Sequence, residues 1–323
     1  MRTALVAPDA FKGTFDAPTV ADALARGLEQ AGWRADRCPV ADGGEGTMAL
    51  LVAALGGRLE QRRARDPLGR EVACTLGWVG ETAIVEVAQA SGLDLVAPEE
   101  RDAWRASTHG TGELIAAAAA AGAREILLAA GGSATTDGGL GAIEAIEAAG
   151  GLGAARLAVL SDVQLAFEDA ARVFAPQKGA DAATVARLEQ RLQDFAARLP
   201  RDPRGVPRTG AAGGLSGGLW AAFGAELRDG APAVLDALGV DARMRAAQLV
   251  VAGEGRVDEQ SFAGKIVGEL TRRARAAGVP VHAVAGSTTL AEQDWERAGL
   301  AGLRVASTLA EIEAAGRALG ASL

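Results

Sequence analysis

Short apolar runs of strand length alternate along this chain with Ala-, Leu-, Glu- and Arg-rich stretches of helical period. The alternation is typical of an α/β fold with a mostly parallel sheet, because parallel strands need a long crossover connection, usually a helix. The predicted core strands are residues 3–7, 36–40, 125–130, 157–160, 248–252, 280–284 and 303–306. Several of these strands run directly into loops of Gly, Asp or Ser. Ligands bind at the carboxyl ends of strands in an open parallel sheet, so we expect the loops to converge on one cleft.

The length of 323 residues exceeds what one hydrophobic core usually serves, so two domains are expected. Within residues 58–96, period-2 alternation on either side of Gly80 predicts a β-hairpin. The segment 200–218 is rich in Pro, Gly and Arg and lacks an apolar period, which predicts a loop or an interdomain strap. Its glycine-rich end, GAAGGLSGG, could instead let a backbone approach a ligand closely.

Charge and cysteine content exclude several classes of protein. A net charge of -8 opposes non-specific attraction to nucleic acid or to an anionic membrane surface. Cys38, Cys74 and two histidines are too few for a disulfide framework or a zinc site. The first apolar run is broken by Pro8 and Asp9, too early for a signal sequence or a membrane span. A cytoplasmic protein that binds neither nucleic acid nor membrane is therefore expected.

Lysine is scarce. Only Lys12, Lys178 and Lys265 occur among 33 basic residues, and each stands in or beside a glycine-bearing loop. Lysine is normally a common residue, so lysines retained in an Arg-rich composition are expected where arginine cannot replace them. A compact ammonium group suits a point contact with a phosphate oxygen, whereas a planar guanidinium does not fit every such pocket. The alternative for each is a solvated surface lysine.

The loop at residues 131–139, GGSATTDGG, combines glycines with hydroxyl side chains after a predicted strand. Glycines permit a tight turn whose amides point at a phosphate, and the hydroxyl groups of Ser133, Thr135 and Thr136 can add donors. Asp137 could hold a metal or cap the next helix. The Walker A pattern and the G-x-G-x-x-G pattern are both absent, which disfavours ordinary P-loop and dinucleotide sites.

Carboxylates also follow strand ends. Asp42 and Glu45 lie three residues apart in ADGGEGT, where they could accept a hydroxyl proton and hold Mg²⁺. A helix N-terminus at this point would explain the same residues without function. Asp9 after the first strand is equally ambiguous, and Asp162 follows another predicted strand.

The loop GEGRVDEQ brings Glu254, Arg256 and Asp258 to a further strand end. These side chains could line a cleft or form a surface ion-pair cluster. Their position directly after an apolar strand favours the cleft.

Eight strings in this order resemble the glycerate kinases of the bacterial glycerate-utilisation type: APDAFKGT, ADGGEGT, DPLGR, HGTGELI, GGSATTDGG, FAPQKGA, GAAGGLSGG and GEGRVDEQ. The resemblance extends from residue 3 to about residue 290. It implies a kinase that uses ATP and Mg²⁺ to phosphorylate D-glycerate, with 2-phosphoglycerate as the expected product. It also implies a flavodoxin-like domain at 1–57 plus 235–323, carrying an inserted restriction-endonuclease-like α/β domain at 58–234 that is shortened near 150–157.

The resemblance also implies roles for single residues. Catalytic roles fall to Lys12, Asp42, Asp137 and Asp162. Nucleotide-binding roles fall to Gly131, Gly132, Ser133, Thr135, Thr136, Gly138, Gly139 and Lys178. Substrate-binding roles fall to Asp9, Lys12, Glu254, Arg256 and Asp258. Metal-binding roles fall to Asp42, Glu45 and Asp137.

Three departures from the family pattern bear on substrate choice. The first is the shortened insert near 150–157. His109 stands where an aromatic residue such as Tyr is usual, and the chain reads SDVQLA at 161–166 where relatives tend to have Asn and Pro. A kinase of a related small hydroxy acid is thus one alternative, and a non-catalytic ligand sensor is another. A sensor need not keep Lys12 together with Asp42, Glu45, Asp137 and Asp162, so the kinase is favoured.

Overall fold

The computed structural model describes residues 2–11, 13–262 and 264–323. The chain divides into two compact units. We call Met1–Asp42 together with Gly230–Leu323 the split unit, and Gly43–Asp229 the continuous unit. The boundaries expected from the sequence were 57/58 and 234/235, whereas the chain passes from one unit to the other at 42/43 and 229/230.

The strands of the described residues are β1 (Thr3–Pro8), β2 (Arg34–Arg37), β3 (Arg58–Arg65), β4 (Glu71–Val79), β5 (Thr82–Glu86), β6 (Glu125–Ala129), β7 (Arg156–Leu160), β8 (Glu226–Arg228), β9 (Leu249–Val257), β10 (Val281–Thr288) and β11 (Gly302–Val305).

The α-helices are α1 (Ala17–Gln30), α2 (Thr47–Ala54), α3 (Val87–Ser91), α4 (His109–Ala120), α5 (Leu140–Ala148), α6 (Ala170–Phe174), α7 (Ala182–Ala196), α8 (Leu215–Phe223), α9 (Gly230–Ala237), α10 (Val240–Arg245), α11 (Ile266–Ala277), α12 (Glu292–Ala298) and α13 (Leu309–Ser322). Within the described ranges, no helix is both long enough and apolar enough to cross a membrane.

The split unit is built on a parallel sheet of order β11-β10-β9-β1-β2. Numbered along the chain within this unit, the strands have the order 2-1-3-4-5. The central strand β1 is fully buried at Leu5 and Val6, as expected for a parallel strand covered on both faces. On one face, α1 packs closely on α13: a β-carbon on Gly27 would lie 2.0 Å from the carbonyl oxygen of Glu313.

The continuous unit has a mixed sheet of order β3-β4-β5-β6-β7-β8. The first three strands are antiparallel, and β5 to β8 are parallel. The hairpin predicted near Gly80 is confirmed, because β4 and β5 pair Val79 with Thr82 and Gly80 has a φ of 57°. The helices α4 and α5 approach so closely that a β-carbon on Gly112 would lie 2.5 Å from the carbonyl oxygen of Ala142.

Two sequence predictions need correction, and two strands were not predicted. The strands β3 and β8 were not predicted, since β3 is mostly charged and β8 is only three residues long. The strand predicted at 36–40 ends at Arg37, although the amide of Val40 still donates to the Pro8 carbonyl. The segment 200–218 is not all loop, because α8 begins at Leu215.

Candidate active site

The parallel strands of the continuous unit end at one edge of its sheet. Glu86 ends β5, residues 131–139 follow β6, and Ser161 and Asp162 follow β7. Because parallel strands carry their carboxyl ends to the same edge, these groups form one cluster of loops. We call residues 131–139 the glycine-rich loop.

The glycine-rich loop is shaped by left-handed glycines and by a neighbouring segment. Gly132, Gly138 and Gly139 have φ values of 69°, 69° and 85°, a region that glycine adopts without strain. Ser133 forms an isolated antiparallel bridge with Gly92, and the amide of Ala134 donates to the Ser91 carbonyl at 2.8 Å. The loop is thus fixed on one side by the chain that follows α3.

The glycine-rich end of the segment 200–218 packs directly on this loop. A β-carbon on Gly213 would lie 2.0 Å from the carbonyl oxygen of Thr135, and one on Gly218 would lie 2.1 Å from that of Gly138. The amide of Gly138 donates to the Gly213 carbonyl at 3.1 Å. These glycines allow the two backbones to touch. The contact explains why GAAGGLSGG is rich in glycine, a composition that predicted an interdomain strap or a place where the backbone approaches a ligand.

Two hydroxyl groups of the loop are buried without a protein acceptor or donor. Thr135 and Thr136 are fully buried, and neither Oγ1 atom has a hydrogen-bond partner within the described part of the chain. A buried hydroxyl group without a partner costs free energy, so such atoms are rare unless a ligand or water completes them. The loop therefore has donors in place for an acceptor such as a phosphate oxygen.

Lys178 lies beneath the glycine-rich loop. Its side chain is 2% exposed, and its Nζ atom donates to Ser133 Oγ at 2.9 Å and to the Thr135 carbonyl at 2.6 Å. Burial lowers the pKa of Lys178 to about 7, although the negative charge of Asp137 opposes this shift. The surface-lysine alternative is wrong for this residue. Both hydrogen bonds of the Lys178 ammonium group are made to the glycine-rich loop.

Asp137 is occupied by protein donors. Its Oδ2 atom accepts hydrogen bonds from Thr108 N at 2.9 Å, Thr108 Oγ1 at 2.8 Å and Gly141 N at 3.2 Å, and its Oδ1 atom accepts from Gly139 N at 3.1 Å. The carboxylate thus caps α5 and ties it to the start of α4. These bonds favour the capping role over the metal-binding and catalytic roles implied by the resemblance.

The ADGGEGT loop lies against the glycine-rich loop. A β-carbon on Gly131 would lie 2.8 Å from the Cα atom of Gly44, so these two backbones are in direct contact. A β-carbon on Gly132 would lie 3.7 Å from Oε2 of Glu45, whose side chain is exposed. Glu45 therefore presents a carboxylate beside the glycine-rich loop.

Sequence reasoning missed Glu86. This residue is 3% exposed and accepts a hydrogen bond from Met48 N at 2.7 Å, at the start of α2. Burial raises the pKa of Glu86; hydrogen bonds from Met48 and Gly46 oppose this shift, and the charge of Glu45 adds to it. The sequence did contain a signal that could have identified Glu86 as a site residue, because this acidic residue ends the apolar strand TAIVE.

The split unit contains a cavity of about 420 Å³ at the ends of its strands, within the usual range for small-molecule sites. Lining residues come from the ends of β9 and β10 and from the loops after β1, β9 and β11. They are Ala10, Phe11, Thr14, Glu254, Gly255, Arg256, Asp258, Lys265, Gly286, Ser287 and Ser307.

Charged groups alternate around this cavity. Nε of Arg256 lies 3.3 Å from Oδ2 of Asp258, and Nζ of Lys265 lies 3.6 Å from Oε1 of Glu254. The predicted substrate residues Glu254, Arg256 and Asp258 are thus brought together, and the structure adds Lys265. The sequence had singled out Lys265 as one of three lysines but had given it no role.

The other predicted residues are less closely grouped. Asp9 is 6% exposed and accepts a hydrogen bond from Ala10 N at 2.6 Å, while Lys12 lies outside the described residues. His109 begins α4, with Nε2 3.5 Å from Oε1 of Glu113. No group of three or more His, Cys, Asp or Glu side chains able to hold a metal is found among the residues described.

Comparison with known proteins settles the family. The model of the "Glycerate kinase family" matches residues 4–152 and 147–319. The chain belongs to this family. The resemblance drawn from the eight strings is confirmed, and the chain is therefore a phosphotransferase by family.

Curated glycerate kinases are similar over most of their length. The "Glycerate 2-kinase" of Escherichia coli strain K12 is 36% identical, over 88% of this chain and 85% of that protein. The "Glycerate kinase" of Bacillus subtilis strain 168 is 37% identical, over 88% and 84%. The crystal structure of putative glycerate kinase 2 from Salmonella typhimurium LT2 superimposes with a TM-score of 0.84 at 31% identity, covering 99% of this chain and 98% of that one.

Proposed function

We propose that this chain transfers the γ-phosphoryl group of ATP to D-glycerate and that 2-phosphoglycerate is the product. Membership of the glycerate kinase family supports the kinase activity, and the name of the E. coli relative supports the product. The structural observation that carries the proposal is the pair of buried, unpartnered hydroxyl groups of Thr135 and Thr136 in the glycine-rich loop.

The glycine-rich loop is the proposed site of the ATP phosphates. Its left-handed glycines turn the backbone tightly, and the hydroxyl groups of Thr135 and Thr136 supply donors that have no partner within the described residues. Nucleotide contacts are proposed for the loop residues Gly131, Gly132, Ser133, Thr135, Thr136, Gly138 and Gly139. Lys12, which lies outside the described residues, is proposed to neutralise phosphate charge.

The donor set beside the loop fits Mg²⁺. Kinases hold this ion with one or two carboxylates and with phosphate oxygens, so a cluster of three protein ligands is not required. Glu45 is exposed at the glycine-rich loop and, with Asp42, would hold the ion. When bound, Mg²⁺ neutralises charge on the phosphate oxygens. Asp137 has both oxygens engaged, so we propose that it supports the loop instead.

The cavity of the split unit is the proposed glycerate site. Arg256 and Lys265 offer cations for the glycerate carboxylate, and Glu254 and Asp258 offer acceptors for its hydroxyl groups. A hydroxy acid carries the complementary groups, namely one negatively charged carboxylate and hydroxyl groups that can donate hydrogen bonds. Asp9, at the end of β1, is proposed to support this site through the hydrogen bond between its own amide and the Gly253 carbonyl.

Phosphoryl transfer itself needs alignment and one proton acceptor. The C2 hydroxyl oxygen of glycerate attacks the γ-phosphorus atom, the bond from that atom to the β–γ bridging oxygen breaks, and ADP leaves. The hydroxyl proton passes to a carboxylate, for which Asp42 and Asp162 are the proposed acceptors. Holding both reactants in line supplies most of the rate enhancement in such reactions.

The fold supports a finer description of the two units. We propose that the split unit is a flavodoxin-like domain, because its strand order 2-1-3-4-5 is the one found in that doubly wound fold. The continuous unit would be the inserted restriction-endonuclease-like domain. A cytoplasmic location is also proposed, supported by the free, buried thiols of Cys38 and Cys74.

The test is to incubate the protein with MgATP and a panel of small hydroxy acids and to identify the product by ³¹P and ¹³C NMR. Phosphate on C2 of D-glycerate supports the proposal. Phosphate on C3 would correct the product, and a product only with another acid would favour the related kinase. Binding of glycerate without turnover would favour the ligand sensor.

A matched pair of variants tests the glycerate site. We expect R256M to raise the KM for glycerate at least tenfold, because the cavity loses a cation beside the proposed carboxylate site. R245M is the control, since Arg245 is an exposed arginine of the same unit outside the cavity. Equal KM values for R256M and the wild type would remove Arg256 from substrate binding.

A further inference from the structure

Lys178 is placed by a tight turn that leaves its side chain enclosed. It ends the 3₁₀ turn Pro176–Lys178, and Gly179 follows with a φ of 92°. A β-carbon on Gly179 would lie 2.7 Å from the carbonyl oxygen of Arg101, so the turn is pressed against the chain there. The lysine side chain therefore extends inward.

The ammonium group reaches two points of the glycine-rich loop. Ser133 Oγ and the Thr135 carbonyl accept from Nζ, and these residues flank Ala134, whose amide is bound by the Ser91 carbonyl. The unpartnered hydroxyl groups of Thr135 and Thr136 come directly after these anchors. One cation thus fixes the part of the loop that carries the proposed phosphate donors.

We propose that Lys178 is a positioning residue, whose ammonium group holds the glycine-rich loop in its phosphate-binding conformation from behind and adds a positive charge beneath the bound phosphate. This inference rests on the proposed function. It differs from the direct nucleotide contact that the family resemblance implied. We do not expect an arginine to serve, because a guanidinium group is wider than an ammonium group and Lys178 is almost fully enclosed.

This arrangement couples the protonation of Lys178 to the binding of the nucleotide phosphate. Burial lowers the pKa of Lys178 to about 7, so at neutral pH the group is only partly protonated. Among the described residues, Asp137 is the charged group that acts on it, whereas its hydrogen-bond partners Ser133 and Thr135 are uncharged. A bound phosphate stabilises the protonated form, so nucleotide binding above pH 7 should take up a proton. Affinity should then fall by up to about tenfold per pH unit.

The three lysines of the chain make this measurable without enzyme activity. Protein labelled with ¹³Cε-lysine gives one NMR signal each for Lys12, Lys178 and Lys265. We expect one signal to titrate near pH 7, to be missing in K178M, and to titrate at higher pH when MgADP is added. If K178M does not fold, K12R and K265R identify the signal by elimination.

Calorimetry with MgADP separates the possible failures. If MgADP binds and the titration of Lys178 does not move, the positioning role is overturned while the proposed function stands. If MgADP does not bind at all, the nucleotide site of the proposed function fails and this inference fails with it. A Lys178 signal that titrates near its ordinary value of 10.5 also overturns the inference.

Ser133 provides a second test of positioning against direct contact. Removing one anchor with S133A should weaken MgADP binding in the same direction as K178M, and the loss in the double variant should be smaller than the sum of the two single losses. Restoring the hydroxyl group with S133T should recover most of the affinity. Fully additive losses in the double variant would show that Lys178 acts independently of the loop anchor, which overturns the positioning role.

Discussion

Gly213 lies so close to Thr135 that a β-carbon on the glycine would sit 2.0 Å from the threonine carbonyl oxygen. The same oxygen accepts the hydrogen bond from Lys178. The segment after residue 209 and the buried lysine therefore fix one peptide group of the glycine-rich loop from two sides.

This contact predicts that G213A displaces the glycine-rich loop. Gly224 is a matched control, because its φ of 69° is close to the 67° of Gly213 and no atom lies within 4 Å of its β-carbon position. We expect G224A to lower the free energy of unfolding by about 1 kcal/mol through backbone strain alone. G213A should cost more and should also raise the KM for MgATP. Urea unfolding and steady-state kinetics measure both; equal effects of the two variants would contradict the contact.

Burial of Lys178 predicts a pH-dependent stability. Between pH 7 and 10.5 the folded chain holds the neutral amine while the unfolded chain still binds the proton, so the free energy of unfolding should rise with pH across this window. Below pH 7 both states are protonated and the contribution is constant. Relative to K178M, the wild type should gain up to about 1.4 kcal/mol per pH unit. Urea unfolding at pH 6 to 9 tests this, and parallel pH curves for the two proteins would refute it.

The hydrogen bonds of Asp137 predict that D137N acts on stability and not on the metal requirement. The amide group of Asn would point a donor at the donors of Thr108, Gly139 or Gly141, so the free energy of unfolding should fall by about 1–3 kcal/mol. The Mg²⁺ concentration for half-maximal activity should not change. D181N, at the exposed cap of α7, should cost about 1 kcal/mol or less. A raised Mg²⁺ requirement at unchanged stability would make Asp137 a metal ligand after all.

Glu86 predicts different effects for two substitutions. E86Q keeps an oxygen that accepts from Met48 N, whereas E86L leaves this buried amide without an acceptor and releases the loop that carries Glu45. We expect E86L to raise the Mg²⁺ concentration for half-maximal activity severalfold and E86Q to change it by less than about twofold. Mg²⁺ titration of activity, with thermal unfolding as a check of the fold, measures this. Equal behaviour of E86Q and E86L would rule out the role of the accepting oxygen.

Most of the parallel strands could be predicted because both faces of such strands are covered and their residues form continuous apolar runs. The run LVVA in β9 is of this kind. The antiparallel hairpin around Gly80 was predicted from a different signal, the period-2 alternation on either side of the turn. Strand β3 escaped prediction because RLEQRRAR pairs on one edge only, through β4, and its charged side chains face outward.

The site was predicted less completely, because a motif does not show which partner a side chain finds. The letters FAPQKGA indicate a lysine beside a glycine, and both a surface position and a phosphate contact were consistent with them. Only the fold shows that Lys178 is enclosed and bound to Ser133 and Thr135. In the same way, GAAGGLSGG is rich in glycine because two loops touch, a contact between residues distant in sequence.

The split unit has a consequence for how the protein is made. Leu5 of β1 pairs with Val250 of β9, so on the ribosome this apolar strand and its neighbour β2 are synthesised long before β9 exists. The continuous unit is complete by then and can fold first. The nascent β1 must meanwhile be kept from aggregating, and we expect closure of its sheet to be the slow, chaperone-sensitive stage of biogenesis.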